Sequence, residues 1–151
     1  RELQMSAARV ASGLPAGQFA ATDAAAFAEV WDVMTAFPQV NFLIMKGQNV
    51  FEIMSGVSTG APSKRSAYFN IKYDNPLRGH LRPDLYASIY AVALPIDADT
   101  MARGVMFFDP QGDMVFGAFV SGASMETTPE AVAQFDALMT MISEQPGVCA
   151  G

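Results

Sequence analysis

Apolar residues along the chain change their spacing twice. Phe27, Val30, Trp31, Met34 and Phe37 recur at helical spacing, which predicts a helix with one apolar face, capped by Thr22 or Asp23 and stopped by Pro38. From Val40 the pattern shortens to β-rich runs. Residues 40–45 and 50–54 form a predicted antiparallel pair around the turn Lys46-Gly47-Gln48-Asn49. Residues 55–66 have loop composition, and residues 67–73 resume alternating strand character until Asn75-Pro76 breaks it. Residues 85–94, rich in Ile, Val and Tyr, predict a strand closed by Pro95. A second hairpin follows, with arms at residues 104–108 and 114–120 around Asp109-Pro110-Gln111-Gly112-Asp113. Helical spacing then returns in Val132, Phe135, Leu138, Met139 and Ile142. Thr127 or Thr128 opens this helix, Thr127 and Glu130 having capping-box spacing and Pro129 suiting the first turn. Residues 2–11 predict a further helix, ended by Gly13-Leu14-Pro15 and Gly17, with a connector leading on.

Helices first, hairpin-linked strands next and a helix last imply an α+β fold: a broad antiparallel β-sheet with N-terminal helices and a C-terminal helix packed against it. With 151 residues, 51% of them hydrophobic, the chain reads as a single domain over residues 1–151 with an ordinary buried core. No internal repeat is visible. A net charge of −6 argues against a dedicated duplex nucleic-acid binder, which needs an extended basic face. Cys149 is the only cysteine, which removes an internal disulfide and a cysteine-rich metal site from consideration. No apolar run is long enough to span a bilayer and the first residues lack a signal-peptide pattern, so the expectation is a cytoplasmic protein without membrane insertion. A chain that starts at Arg1 without methionine reads as processed or incomplete.

Charge changes the picture in one place. Residues 68–83, YFNIKYDNPLRGHLRP, hold the only histidine, His80, in a basic and aromatic island. Between Lys64 and Arg82 lie five of the nine cationic residues in the chain, Lys64, Arg65, Lys72, Arg78 and Arg82, against the single acid Asp74. Positive charge beside Tyr68, Phe69, Tyr73 and a metal-ligating imidazole suits a flat, anionic, metal-bearing ligand, and haem has that chemistry. Arg78 and Arg82 can pair with its two propionates, or equally with Asp74 and Asp84. Tyr68, Tyr73, Tyr86 and Tyr90 offer phenolate ligation or ring stacking, although most strand tyrosines are packing residues. Met45 is the thioether to watch among ten methionines, most of which belong in a core. A histidine met alone is ordinarily a hydrogen-bonding residue at a strand end. Enzyme constellations are thin: one histidine, no nucleophile motif, no phosphate-binding glycine loop, and in Asp97 and Asp99 no calcium-loop spacing.

Tyr68-Phe69-Asn70, a short loop and Gly79-His80-Leu81 carry a family resemblance. The chain resembles the haem-utilisation carriers of the HutX/ChuX type, relatives of the HemS/ChuS haem-handling proteins. Val30-Trp31, Val50-Phe51-Glu52, Ala87-Ser88-Ile89-Tyr90 and Phe107-Phe108-Asp109 with Gly112 extend the match over residues 25–142. The resemblance implies a cytoplasmic homodimer that binds non-covalent b-type haem, carries or buffers it after import, and exchanges it with donor or acceptor proteins. It carries His80 and Tyr68 over as haem-site residues; joined to the basic aromatic island, the expectation is His80 as the haem-iron ligand, Tyr68, Tyr90 or Met45 as second-side groups, and Arg78 and Arg82 near the propionates. Met45 stands where some members carry a second histidine. Alternatives are a haem-degrading or tetrapyrrole-modifying enzyme, as some relatives are, and a diverged dimeric domain that no longer binds haem.

Overall fold

The alternating strands assemble into two sheets of unequal size. The protein is represented by a computed structural model that describes residues 19–123 and 125–145. In chain order its strands are β1 (Phe19–Asp23), β2 (Val40–Lys46), β3 (Asn49–Ser55), β4 (Gly60–Pro62), β5 (Phe69–Ile71), β6 (Gly79–Leu81), β7 (Ser88–Pro95), β8 (Met101–Phe108) and β9 (Met114–Ser121). The helices are α1 (Phe27–Met34) and α2 (Pro129–Ser143), with short 3-10 turns at Ala24–Ala26 and Pro83–Leu85. The large antiparallel sheet has the order β1-β7-β8-β9-β2-β3, and β4-β5-β6 make a separate three-stranded antiparallel sheet.

Period-two alternation gives the large sheet two apolar faces. One face presents Phe42, Ile89, Ala91, Val105, Phe107, Phe116 and Ala118 to both helices and to the small sheet. Phe27, Val30, Trp31 and Met34 come from α1, Phe135, Leu138 and Ile142 from α2, and Phe69 and Ile71 from β5. The Phe107 and Phe116 rings stack at 4.4 Å, and Trp31 donates its indole N–H to the Ser58 carbonyl at 2.9 Å. That bond satisfies the one polar atom of a buried ring and ties the loop after β3 to α1. The opposite face carries a second cluster of Tyr90, Val92, Met106, Phe108 and Met114, joined by Phe19, Met45, Leu94 and Phe119.

The α+β architecture and the buried face of α1 agree with the sequence pattern, while several details differ. The connector before α1 contains β1, whose residues pair with β7 from Phe19↔Val92 to Asp23↔Ser88. Alanine-rich FAATD has little strand character of its own, and the pairing supplies it. The loop at residues 55–66 holds β4, and the expected strand at 67–73 is ordered as a strand only at Phe69–Ile71. Leu85 belongs to a 3-10 turn rather than to β7, because Pro83 starts that turn. Thr128, not Thr127, caps α2, its Oγ1 accepting the Ala131 N–H at 3.1 Å. Pro129 forces its predecessor out of helical geometry, which makes Thr128 the cap. The helix expected at residues 2–11 lies outside the described residues. Among the described residues no helix is long and apolar enough to cross a membrane.

Candidate functional site

The small sheet displays the basic island. Strands β5 and β6 pair as Phe69↔Leu81, Asn70↔His80 and Ile71↔Gly79. Phe69, Ile71 and Leu81 therefore point inward to the core, while Asn70 and His80 share the outer face. Continuing the same alternation and register past the strand ends puts Tyr68 and Lys72 on that face from the β5 side, and Arg78 and Arg82 from the β6 side. Gly79 opens β6 at φ +147°, a conformation a side chain rarely adopts, and so delivers His80 directly after the turn.

Three rings and two guanidinium groups meet there. His80 Nδ1 lies 2.8 Å from Asn70 Oδ1, and His80 Nε2 lies 3.3 Å from the Tyr73 hydroxyl. The Tyr68 ring meets the imidazole edge-on at 6.0 Å between centroids. Arg82 sits 5.4 Å from the Tyr68 ring centroid and Arg78 sits 5.2 Å from that of Tyr73, both cation–π contacts. Arg82 also grips Asp84 in a two-pronged pair, Nε to Oδ1 at 2.8 Å and Nη2 to Oδ2 at 2.7 Å. That hydrogen bonding holds the Asp84 carboxyl below the usual carboxylate range and raises the Arg82 pKa in turn. Arg78 has no carboxylate within ion-pair distance among the described residues.

His80 stands where two cavities join. A cavity of about 370 Å³ runs inward between the sheets, lined by Trp31, Phe42, Ile71, Leu77, Tyr86 and Phe116. A trough of about 690 Å³ runs outward past Arg82, Leu85, Val115 and the Pro110 turn. His80, Leu81, Tyr86 and Val115 border both spaces. Tyr86 forms the dividing floor, its ring 5.7 Å from Phe27 and 6.2 Å from Phe116, and burial pushes its phenol up to about 12. An imidazole at the rim of an apolar trough, flanked by cations, can bind a flat apolar ligand with carboxylate arms and present a nitrogen to a metal at its centre.

The structure brings together His80, Tyr68, Arg78 and Arg82, and it separates them from Tyr90 and Met45. Ile89 and Ala91 face the core beneath the small sheet, so Tyr90 between them points to the other side, packed on Phe19 at 6.2 Å and Phe108 at 5.5 Å. Met45 joins that same second cluster. Sequence reasoning named Tyr73 only as a ring of the island, gave Asn70 no role beyond its motif, and did not make Leu85 and Val115 walls of the trough. A count across the turn would have paired Asn70 with His80, but only once the register was known. Among the described residues no group of three or more His, Cys, Asp and Glu gathers as a metal site.

A small sheet laid over a larger helix-backed one, with an imidazole and the Arg82 guanidinium beside an open trough, defines an α+β domain with a recess at its only histidine. The chain belongs to the haem utilisation ChuX/HutX family, whose model matches residues 20–138. A protein of Agrobacterium tumefaciens is similar in structure at TM-score 0.78 and 25% identity, over 89% of this chain and 77% of its own. The heme binding protein ChuX is similar at TM-score 0.77 and 20% identity, over 90% of this chain and 83% of its own. ChuS, an E. coli heme oxygenase, shares the fold at TM-score 0.64 and 14% identity, over 87% of this chain and 38% of its own. No curated protein matches the chain significantly in sequence.

Proposed function

We propose that the protein is a haem carrier or buffer that holds b-type haem non-covalently in the trough beside His80. The observation that carries this reading is the position of His80, at the junction of an apolar trough and cavity with Arg78 and Arg82 on the same outer face. The residues fit the group: the imidazole supplies a nitrogen ligand, Leu81, Leu85 and Val115 supply apolar walls, and the guanidinium groups match two carboxylates. Bound haem would supply a ferric or ferrous iron for axial ligation, while the chain binds and orients the ring and shields one face from water. A single cysteine leaves no C-x-x-C-H attachment motif, which supports non-covalent binding. Family membership supports a place in haem uptake and iron utilisation, in the cytoplasm, with exchange to donor or acceptor proteins. Val50, Phe51 and Met54, exposed on the edge strand β3, support a homodimer.

Haem titration tests the reading. Purified protein develops a shifted Soret band that saturates at one equivalent per protomer, and His80→Ala changes the position of that band. A free-haem spectrum from the wild type overturns the function, and an unchanged band in His80→Ala removes His80 from the iron. Loss of the band with reductant and oxygen, in the presence of catalase, would move the protein to a haem-degrading enzyme.

A further inference from the structure

We propose that Asn70 and Tyr73 keep His80 as a capped ligand: Asn70 fixes the imidazole in its Nδ1–H tautomer, and the Tyr73 hydroxyl covers the Nε2 lone pair until the ligand's metal displaces it. The inference rests on the reading of His80 as the iron ligand and assigns roles to two further residues of the same site.

The tautomer follows from donor chemistry. Asn70 Oδ1 can only accept, so at 2.8 Å from His80 Nδ1 it requires the proton to be on Nδ1. A neutral imidazole carries one N–H, which leaves Nε2 with its lone pair. The pairing is built into the sheet, because Asn70 and His80 are direct cross-strand partners and a slip of one residue would turn Asn70 into the core. Histidines that ligate metals are commonly oriented in this way by a carbonyl on the far nitrogen, which fixes the tautomer and strengthens the donor. Asn70 is thus a positioning residue and touches no ligand.

The cap follows from the second contact. The Tyr73 hydroxyl, 3.3 Å from Nε2, has a proton to donate to the same lone pair that a metal needs. Tyr73 lies in the turn beyond β5 and is 62% exposed, so swinging it away uncovers almost no apolar surface. Arg78 rests on the Tyr73 ring at 5.2 Å. A carboxylate that recruits Arg78 takes away one of the two contacts that hold Tyr73 over the imidazole, so docking of the ligand's anionic edge loosens the cap.

The chain has one histidine, so nitrogen NMR of protein labelled with 15N-histidine reads His80 without ambiguity. At alkaline pH, where free imidazole is neutral, the wild type should show Nδ1 protonated and Nε2 as the acceptor. Asn70→Leu should return the ring to the Nε2–H form that free imidazole favours, and Asn70→Asp should restore Nδ1–H. Tyr73→Phe should keep Nδ1–H, move the Nε2 resonance to that of a bare lone pair, and tighten haem binding about two- to tenfold, as expected for removing one competing hydrogen bond. Thermal unfolding of each variant separates these effects from loss of fold. A wild type with Nε2–H, or an Asn70→Leu protein with its tautomer unchanged, overturns the role of Asn70. An unmoved Nε2 resonance, or weaker or equal haem binding in Tyr73→Phe, overturns the cap. Should the wild type take up no haem, the proposed function fails while the two NMR readouts still decide the tautomer and the cap.

Discussion

Gly60→Ala is the sharpest probe of how the small sheet is held in place. Gly60 pairs with Ile71 in the β4–β5 ladder, and the Phe69 ring lies across it. A Cβ at this position would sit 2.7 Å from Phe69 Cζ, nearer still to Cε2, and 3.1 Å from the Asn70 carbonyl oxygen. Phe69 cannot simply turn aside: it is 5% exposed, with Phe27 edge-on at 5.1 Å and Trp31 at 6.1 Å. Relief has to come from moving β4 away from β5 or from driving the ring into α1. Overpacking of this kind costs roughly 1–3 kcal/mol. For a domain of this size each kcal/mol moves Tm by about 2–4 °C, so the expected fall is about 2–12 °C. The strain falls on the strand that carries Asn70, so amide exchange at Phe69 to Ile71 should accelerate more than exchange in β7 or β8. Calorimetry and hydrogen exchange measure both. A Tm within about 1 °C of wild type, with β5 exchange unchanged, would refute the claim that the close approach of Phe69 to Gly60 seats the small sheet.

Two further outcomes follow from the charges and the buried phenol. Asp84→Asn should tighten haem binding severalfold, because it frees the Arg82 guanidinium that Asp84 now holds in two hydrogen bonds, and should leave Tm unchanged because both groups are solvent-exposed. Weaker binding would mean instead that Asp84 orients Arg82 for the ligand. Tyr86 should titrate well above an ordinary phenol, burial raising it from 10.0 to about 12. The neutral phenol is the form that folding favours, so its contribution to stability is complete below about pH 10 and is lost as pH rises toward about 12. Chemical denaturation at pH 9 and pH 11 checks this, and an equal loss of stability in Tyr86→Phe would refute the assignment.

Much of the fold was legible because long segments declare their period. Five apolar residues at helical spacing marked α1, and all five are buried in the structure. Strands β2, β3, β7, β8 and β9 are long enough to show β character, and Gly47-Gln48 sets the β2–β3 register through Lys46↔Asn49. The three-residue strands β4 and β6 are shorter than any pattern that alternation can reveal, and β1 is a strand only by virtue of its neighbour. The chemistry of the site was visible for a different reason: its cations, rings and histidine are contiguous in sequence. Its geometry was not, since the Asn70–His80 pair depends on the register across an intervening turn. Asp84 illustrates the same limit. The sequence offered Arg82 either a ligand carboxylate or a neighbouring acid, and in the structure it pairs with the neighbour two residues away.

The two apolar faces of the large sheet decide how the remaining candidates can act. His80 and the outward residues of β5 and β6 lie beyond the core layer, whereas Tyr90 and Met45 lie on the far side of the large sheet. Layers packed face to face stand about 10 Å apart. His80 and Tyr90 of one chain are thus held on opposite sides of the core layer, as are His80 and Met45. Within one chain, Tyr68 and Tyr73 are the phenols that reach the imidazole, at 6.0 and 6.4 Å between ring centroids. On the far face Tyr90 is 8% exposed and packs between Phe19 and Phe108. The histidine, rings and cations of the proposed site are thus gathered on the outer face of a three-stranded sheet, and the large sheet holds that face beside the trough.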